Sequence, residues 1–149
     1  MRQLIVSATT AALFCLATSL PLAAAENAEL AALQGKWTTK KTNPDGQTYT
    51  QTLEIKKDKL TFKMMGSDGA LRLMAKADLK TEKLGPFNVL KISEIEAGAS
   101  PTELQAINDD RVNIYSLDDG KLVMASNFDK SRDQQKPGAD TYTHETSSK

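Results

Sequence analysis

Residues 48–65, which read TYTQTLEIKKDKLTFKMM, decide the fold because they alternate with a period of two. One face of the first half carries Tyr49, Gln51, Leu53 and Ile55, and threonine, glutamate and lysine fill the positions between them. After Lys57 and Asp58 the alternation resumes, with Leu60, Phe62 and Met64 on the apolar face. A period of two is typical of a strand with one buried and one solvated face. Residues 48–65 therefore predict two antiparallel strands joined by a tight turn.

The same alternation predicts six more strands around this hairpin. The full set of predicted strands covers residues 36–42, 48–57, 60–65, 71–78, 87–96, 111–117, 121–127 and 141–146. Most are joined by short turns, of which Asp118-Asp119-Gly120 is the clearest hairpin signal. Eight strands in meander order close most economically into an up-and-down barrel, which leaves no free sheet edge. A two-sheet sandwich is the competing architecture.

Two short helices are predicted beside the strands. Residues 27–35 read NAELAALQG, in which Asn27 suits the N-cap and Gly35 the position after the last turn. Residues 100–103 read SPTE, a capping box with proline in the first turn, so residues 101–107 predict a second helix. Residues 129–140 predict a long mobile loop. The predicted fold class is all-β: an eight-stranded up-and-down antiparallel barrel with a short N-terminal helix and one short helix between strands five and six.

The first 25 residues have the order of a secretory signal. A basic start is followed by the largely apolar residues 4–20, and residues 23–25 are alanines suited to cleavage. We expect export to the periplasm or secretion, with cleavage before Glu26 and one barrel domain over residues 26–149. The chain has 19 basic and 19 acidic side chains, so loss of Arg2 with the signal leaves a formal charge of −1. The single cysteine, Cys15, is also removed, and the domain must be held by its core.

The mature sequence offers few groups for catalysis or metal binding. His144 is its one histidine, and no Gly-x-Ser-x-Gly turn precedes it, so we expect no catalytic residues and no enzymatic activity. One histidine without cysteine also excludes the usual zinc sites. Residues 127–138 have the oxygen spacing of a calcium loop, but Arg132 replaces its central glycine and Gly138 its final glutamate. We therefore expect neither a metal site nor a cofactor.

The composition also bears on macromolecular partners. A net charge near zero argues against long-range attraction to nucleic acid or to an anionic membrane. Stacking on single strands needs exposed aromatic rings, whereas Trp37, Tyr49 and Phe62 alternate onto the apolar face. We expect no nucleic-acid partner and, after signal cleavage, no membrane association. The composition does not fix the oligomeric state.

Residues 33–37, which read LQGKW, carry a family resemblance. A short helix that leads into Gly35-x-Trp37 resembles the opening of lipocalins and their relatives. Residues 114–122, IYSLDDGKL, and the loop with Lys136-Pro137-Gly138 are similar to a secreted bacterial lipocalin-like domain of unknown function. The resemblance implies an eight-stranded barrel closed at one end by the helix, with Trp37 packed there. That family often has an arginine near the end of the last strand; here we expect His144 to lie against Trp37 or to end the strand in solvent.

The barrel interior is the remaining candidate site. A barrel of eight strands is just wide enough to be filled by side chains or to hold one small ligand. The expected ligand-binding residues, on the apolar faces of the strands, are Trp37, Tyr49, Gln51, Leu53, Phe62, Met64, Leu73 and Met124. We predict a carrier of a small, mostly apolar molecule, which Tyr49 and Gln51 would orient. The alternative is a filled barrel that acts as a protein–protein interaction or inhibitor module through residues 101–107 and 129–140.

Overall fold

A computed structural model describes residues 28–132 and 135–145. In that part of the chain nine strands form one sheet: β1 Gly35–Thr42, β2 Thr48–Lys56, β3 Lys59–Gly66, β4 Leu71–Leu84, β5 Phe87–Gly98, β6 Gln105–Ile107, β7 Arg111–Asp118, β8 Lys121–Ser126 and β9 Gly138–His144. A helix over residues 28–32 precedes β1. None of the helical residues described belongs to a segment long and apolar enough to cross a membrane. The signal peptide predicted for residues 1–25 lies outside the described residues.

Eight of the strands close into an antiparallel barrel. Strands β1 to β5 pair in chain order, β5 pairs with β7, β7 to β9 again pair in order, and β9 returns to β1. The predicted all-β class and the eight-stranded up-and-down barrel are confirmed. The β7–β8 turn has the predicted hairpin chemistry, because Asp119 and Gly120 adopt φ values of 42° and 70°. Strand β4 runs to Leu84, beyond the predicted end at Asp78.

The helix predicted over residues 101–107 is wrong. Ser100 and Glu103 do interact, because the Ser100 hydroxyl donates to Glu103 Oε2 over 3.0 Å and the Glu103 N–H donates to the Ser100 carbonyl over 3.2 Å, but these bonds close only a single turn. The chain then extends as β6 and pairs with residues 95–97 of β5. Strand β7 pairs with the same edge of β5 over residues 88–92. Strand β6 therefore gives backbone partners to the rest of that edge, and these sheet hydrogen bonds outweigh the local helix preference.

A buried core closes the barrel at the helix end. Trp37 is 2% exposed, and its indole N–H donates to the Leu33 carbonyl over 2.9 Å. Leu33, Ile55 and Leu122 are fully buried in the same cluster. The imidazole of His144 lies against the indole, with ring centroids 4.5 Å apart. The structure thus contains both expected features: Trp37 packs at the closed end, and His144 lies against it.

Polar contacts hold the helix against the barrel. The Tyr115 hydroxyl donates to Glu29 Oε2 over 3.0 Å, and Glu29 also pairs with Lys83 at 2.9 Å. Gly35 follows the helix with a φ of +115°, and a Cβ there would lie 2.4 Å from His144 Nε2. Glycine is therefore required at this junction by both backbone conformation and space.

The barrel is closed most weakly between β1 and β9. Two register pairs join these strands, Trp37 with His144 and Thr38 with Thr143. Strands β1 and β2, in contrast, pair along their whole length, from Gly35 to Thr42. Beyond the two pairs, a salt bridge between Lys41 and Asp140 spans β1 and β9. The junction between β1 and β9 therefore consists of paired backbone at the helix end and of a side-chain salt bridge toward the opposite end.

Candidate functional site

A cavity of about 490 Å³ occupies the half of the barrel opposite the helix. Leu53, Leu60 and Ile92 line it and also belong to the buried core, so they mark where the cavity meets the closed end. Asn127 and Gln135, from the β8–β9 loop, line its other end. The volume lies within the roughly 300–1,000 Å³ typical of small-molecule sites.

The lining divides into two arcs of neighbouring strands. The apolar arc, from β3 to β6, comprises Leu60, Phe62, Leu73, Ala75, Ala77, Ile92, Ile95, Ala97 and Ile107. The polar arc, from β7 through β9 and β1 to β2 with the β8–β9 loop, comprises Lys41, Gln51, Arg111, Asn113, Ser126, Asn127, Gln135, Asp140 and Tyr142, with Leu53 and Met124 among them. Lys76 is the polar residue on the apolar side, and it is exposed and alternates with the two inward alanines of β4.

Five of the eight predicted ligand-binding residues line this cavity: Gln51, Leu53, Phe62, Leu73 and Met124. Trp37 does not line it, because the indole is packed in the closed end. Tyr49 and Met64 are partly buried but are also outside the lining. Of the two residues expected to orient a ligand, Gln51 lines the cavity and Tyr49 does not.

Two side-chain pairs organise the polar arc near β1. The Tyr142 hydroxyl donates to Gln51 Oε1 over 3.1 Å and so connects β9 with β2. Burial raises the pKa of Tyr142, and the nearby Asp140 carboxylate raises it further, so the hydroxyl remains a donor at neutral pH. The Lys41–Asp140 salt bridge balances the charges in this part of the arc.

Three buried polar atoms in the rest of the polar arc have no hydrogen-bond partner among the described residues. They are Arg111 Nε, Asn113 Oδ1 and Asn127 Oδ1. Asn113 is 3% exposed, and its amide nitrogen lies 3.3 Å from Met124 Sδ, a weak acceptor. A buried polar group without a partner costs about 1–3 kcal/mol. The residues that carry the three atoms line the cavity, but the atoms themselves are enclosed by protein.

The Arg132 clasp, formed by Arg132, Asp109 and Asp129, joins the β6–β7 loop to the β8–β9 loop. The Arg132 side chain is 7% exposed, and its Nε lies 3.1 and 3.0 Å from the two Asp109 carboxylate oxygens. Its terminal nitrogens reach the Asp129 oxygens at 2.6 and 3.1 Å. Hydrogen bonds from Lys130 and Arg132 lower the pKa of Asp109 to about 2, and the bond from Arg132 lowers the pKa of Asp129 to about 2. The clasp therefore stays fully charged at neutral pH.

The structure brings no metal-binding cluster to this site. Within residues 28–132 and 135–145, no group of three or more His, Cys, Asp or Glu side chains is placed to hold a metal ion. Asp129, an acidic position in the calcium-like spacing, is engaged by Arg132. His144 lies at the closed end, where its Nε2 is 3.3 Å from the Gln34 carbonyl oxygen, and does not line the cavity.

Sequence reasoning missed most of the polar arc. Lys41 carried a usable signal, because it shares the inward phase of β1 with Trp37 and is charged. Arg111 and Asn113 carried an ambiguous signal, since Val112 and Ile114 suggest one phase for β7 whereas Tyr115 and Leu117 suggest the other. The structure places both polar residues inward.

Comparison with known proteins adds no family to this description. No family model, curated protein or solved structure matches the chain. The closed eight-stranded barrel is compatible with the lipocalin-like resemblance, which stays a prediction.

Proposed function

We propose that this protein is an exported lipocalin-like carrier that holds one small, mostly apolar molecule inside its barrel. The observation that carries the proposal is the cavity of about 490 Å³, bounded on one side by the apolar arc. Burial of apolar ligand surface against such a wall supplies the affinity, at roughly 25 cal/mol per Å² removed from water. The polar arc supplies the fixed donors and acceptors that orient a ligand.

The cavity favours this proposal over an interaction module. The alternative, a filled barrel that acts through its loops, requires an interior without room for a ligand. It also relied on a helix over residues 101–107 as part of its interaction surface. That segment is a strand within the sheet, and the interior has space. The charged side chains of the Arg132 clasp are also already paired with each other.

Binding of a neutral fluorescent probe tests the proposal. N-phenyl-1-naphthylamine should bind with saturable, one-to-one stoichiometry and a Kd in the micromolar range. Ala97→Phe should weaken this binding at least about tenfold, because Ala97 lines the cavity and a phenyl group there takes up ligand space. Ala139→Phe is the matched control, since Ala139 is exposed on β9 and does not line the cavity.

The fold of each variant is checked by circular dichroism on the same samples. A wild-type protein that binds no probe at concentrations well above the micromolar range would overturn the carrier proposal. Equal binding by the Ala97→Phe and Ala139→Phe variants would show that the probe sits outside the barrel, and it would count against the proposal equally.

A further inference from the structure

The strands of the polar arc become polar toward the outer end of the cavity, which is the end away from the helix. From the closed end outward, each of these five strands passes from a residue of the buried core to a polar residue that lines the cavity. The pairs of core and outer residue are Trp37 and Lys41, Leu53 and Gln51, Tyr115 and Arg111, Met124 and Ser126, and Tyr142 and Asp140. A molecule that fills the cavity therefore meets hydrocarbon at its inner end and charged groups at its outer end.

Two donors with accessible surface lie on β1 and β2. The Lys41 side chain is 29% exposed, and its ammonium has donors beyond the one that Asp140 accepts. Tyr142 donates to Gln51 Oε1, which leaves the Gln51 amide nitrogen without a partner in the part of the chain that the structure describes. That nitrogen is not one of the enclosed polar atoms. Lys41 and Gln51 thus offer donors that a molecule in the cavity can reach.

The charges of the outer end leave one cation in excess. Among the described residues, the ion pairs there join four cations to three carboxylates: Lys41, Arg111, Lys130 and Arg132 to Asp109, Asp129 and Asp140. Asp109 alone is shared by three of the cations. An anionic group at the outer end is therefore attracted, whereas a cationic one is repelled.

We infer that the ligand is a head-and-tail amphiphile with an acidic head group, which Lys41 and Gln51 hold at the outer end while the tail lies toward Leu53 and Leu60. A carboxylate accepts hydrogen bonds and donates none, so it matches both donors and also supplies the missing negative charge. An alcohol matches the donors but not the charge, and an ammonium matches neither. This inference rests on the proposed function, because it names the class of molecule carried in the same cavity.

Three ligands with the same tail separate the head group from the carrier function. Decanoate, decan-1-ol and decylammonium differ only at the head, and displacement of N-phenyl-1-naphthylamine at neutral pH measures the affinity of each. Decanoate should bind at least about fivefold more tightly than decan-1-ol, because hydrogen bonds to a charged group contribute more than those to a neutral one. Decylammonium should bind most weakly.

Lys41→Met should reverse the order of decanoate and decylammonium. The variant removes the ammonium and leaves the Asp140 carboxylate without its partner. Gln51→Glu keeps an acceptor for Tyr142 but replaces the amide donor by a carboxylate, so it should lower the ratio of decanoate to decylammonium affinity at least about tenfold. Lys40→Met is the matched control. It makes the same charge change at an exposed neighbour that does not line the cavity, and it should keep the wild-type ratio within about twofold.

Circular dichroism checks the fold of each variant, and the outcomes are distinct. Decanoate that binds no better than decan-1-ol, or a ratio that Lys41→Met and Gln51→Glu change no more than Lys40→Met does, would overturn the acidic-head inference while the carrier function stands. Failure of all three ligands to displace a probe that the protein does bind would overturn it as well. A wild-type protein that binds neither the probe nor any of the three would overturn the carrier proposal itself.

Discussion

Removal of the Trp37 side chain should be the most damaging single change at the closed end. The indole is 2% exposed, donates to the Leu33 carbonyl over 2.9 Å and contacts the His144 ring. A tryptophan buries about 150–250 Å², which at roughly 25 cal/mol per Å² is worth about 4–6 kcal/mol as an upper bound. Measured large-to-small changes at buried aromatics cost about 3–5 kcal/mol. We expect Trp37→Ala to lower the free energy of unfolding by about 3–5 kcal/mol.

Trp37→Phe separates packing from hydrogen bonding. Phenylalanine retains most of the apolar surface but leaves the Leu33 carbonyl without the indole donor, so the expected loss is smaller, about 1–3 kcal/mol. Phe87→Ala is the control for loss of an aromatic ring at an exposed position, since Phe87 is 52% exposed. That variant should stay within about 0.5 kcal/mol of wild type.

Urea unfolding followed by far-ultraviolet circular dichroism measures these differences, because the Trp37 variants contain no tryptophan. With a slope of roughly 1–3 kcal/mol per molar urea, Trp37→Ala should shift the midpoint by roughly 2 M. Wild-type fluorescence reports on Trp37 alone, and its emission should be blue-shifted. A midpoint unchanged in Trp37→Ala, or a wild-type emission like that of tryptophan in water, would refute the assignment of this residue to the closed end.

Three further predictions concern the clasp, the helix and export. Arg132→Met should make the β8–β9 loop at least about tenfold more sensitive to limited proteolysis, with little change in the global unfolding midpoint. Because the pKa values of Asp109 and Asp129 are lowered from 3.8 to about 2, the stabilisation that these carboxylates give the loop should be complete above pH 3.8 and lost as the pH falls toward 2. A wild-type loop that is cleaved at pH 5 as readily as that of the Arg132→Met variant would contradict this. Tyr115→Phe should cost about 0.5–1.5 kcal/mol through the lost bond to the helix, measured by urea unfolding. The mature protein should begin at Glu26, and an intact mass that includes the apolar N-terminal segment would contradict the signal.

Most of the barrel could be predicted from sequence because its strands alternate against solvent. In β2 and β3 nearly all large apolar residues share one phase, and the strands, their inward face and the turn between them follow from that pattern. The failure at residues 101–107 has a different origin. The sequence of residues 100–103 does form a turn, but the chain beyond it pairs with β5, and local sequence does not reveal that this edge of β5 needs a partner.

The polar arc resisted prediction because it violates the rule used to find strand faces. In β7, Arg111 and Asn113 face the cavity in the same phase as Tyr115, whereas Val112 and Ile114 lie in the other phase, so hydrophobicity does not fix the inward face of this strand. Gln51 was found because Leu53 and Ile55 fix the phase of β2 around it. A polar residue at an inward position is therefore recognisable from sequence when the large apolar residues of its strand all share its phase, as they do in β2.

The short ladder between β1 and β9 has a consequence for how the barrel assembles. The other pairings of the barrel join strands that are consecutive in the chain or, for β5 and β7, separated by one short segment, so they form through small loop closures. The pair Trp37 and His144, in contrast, joins residues at positions 37 and 144, and its closure entropy is the largest of the barrel. Two backbone pairs return little for that cost, so we expect the rest of the sheet to form before β1 and β9 pair. In such an intermediate the facing edges of β1 and β9 would both be unpaired, and a second copy of the chain would then compete with the molecule's own β9 for β1.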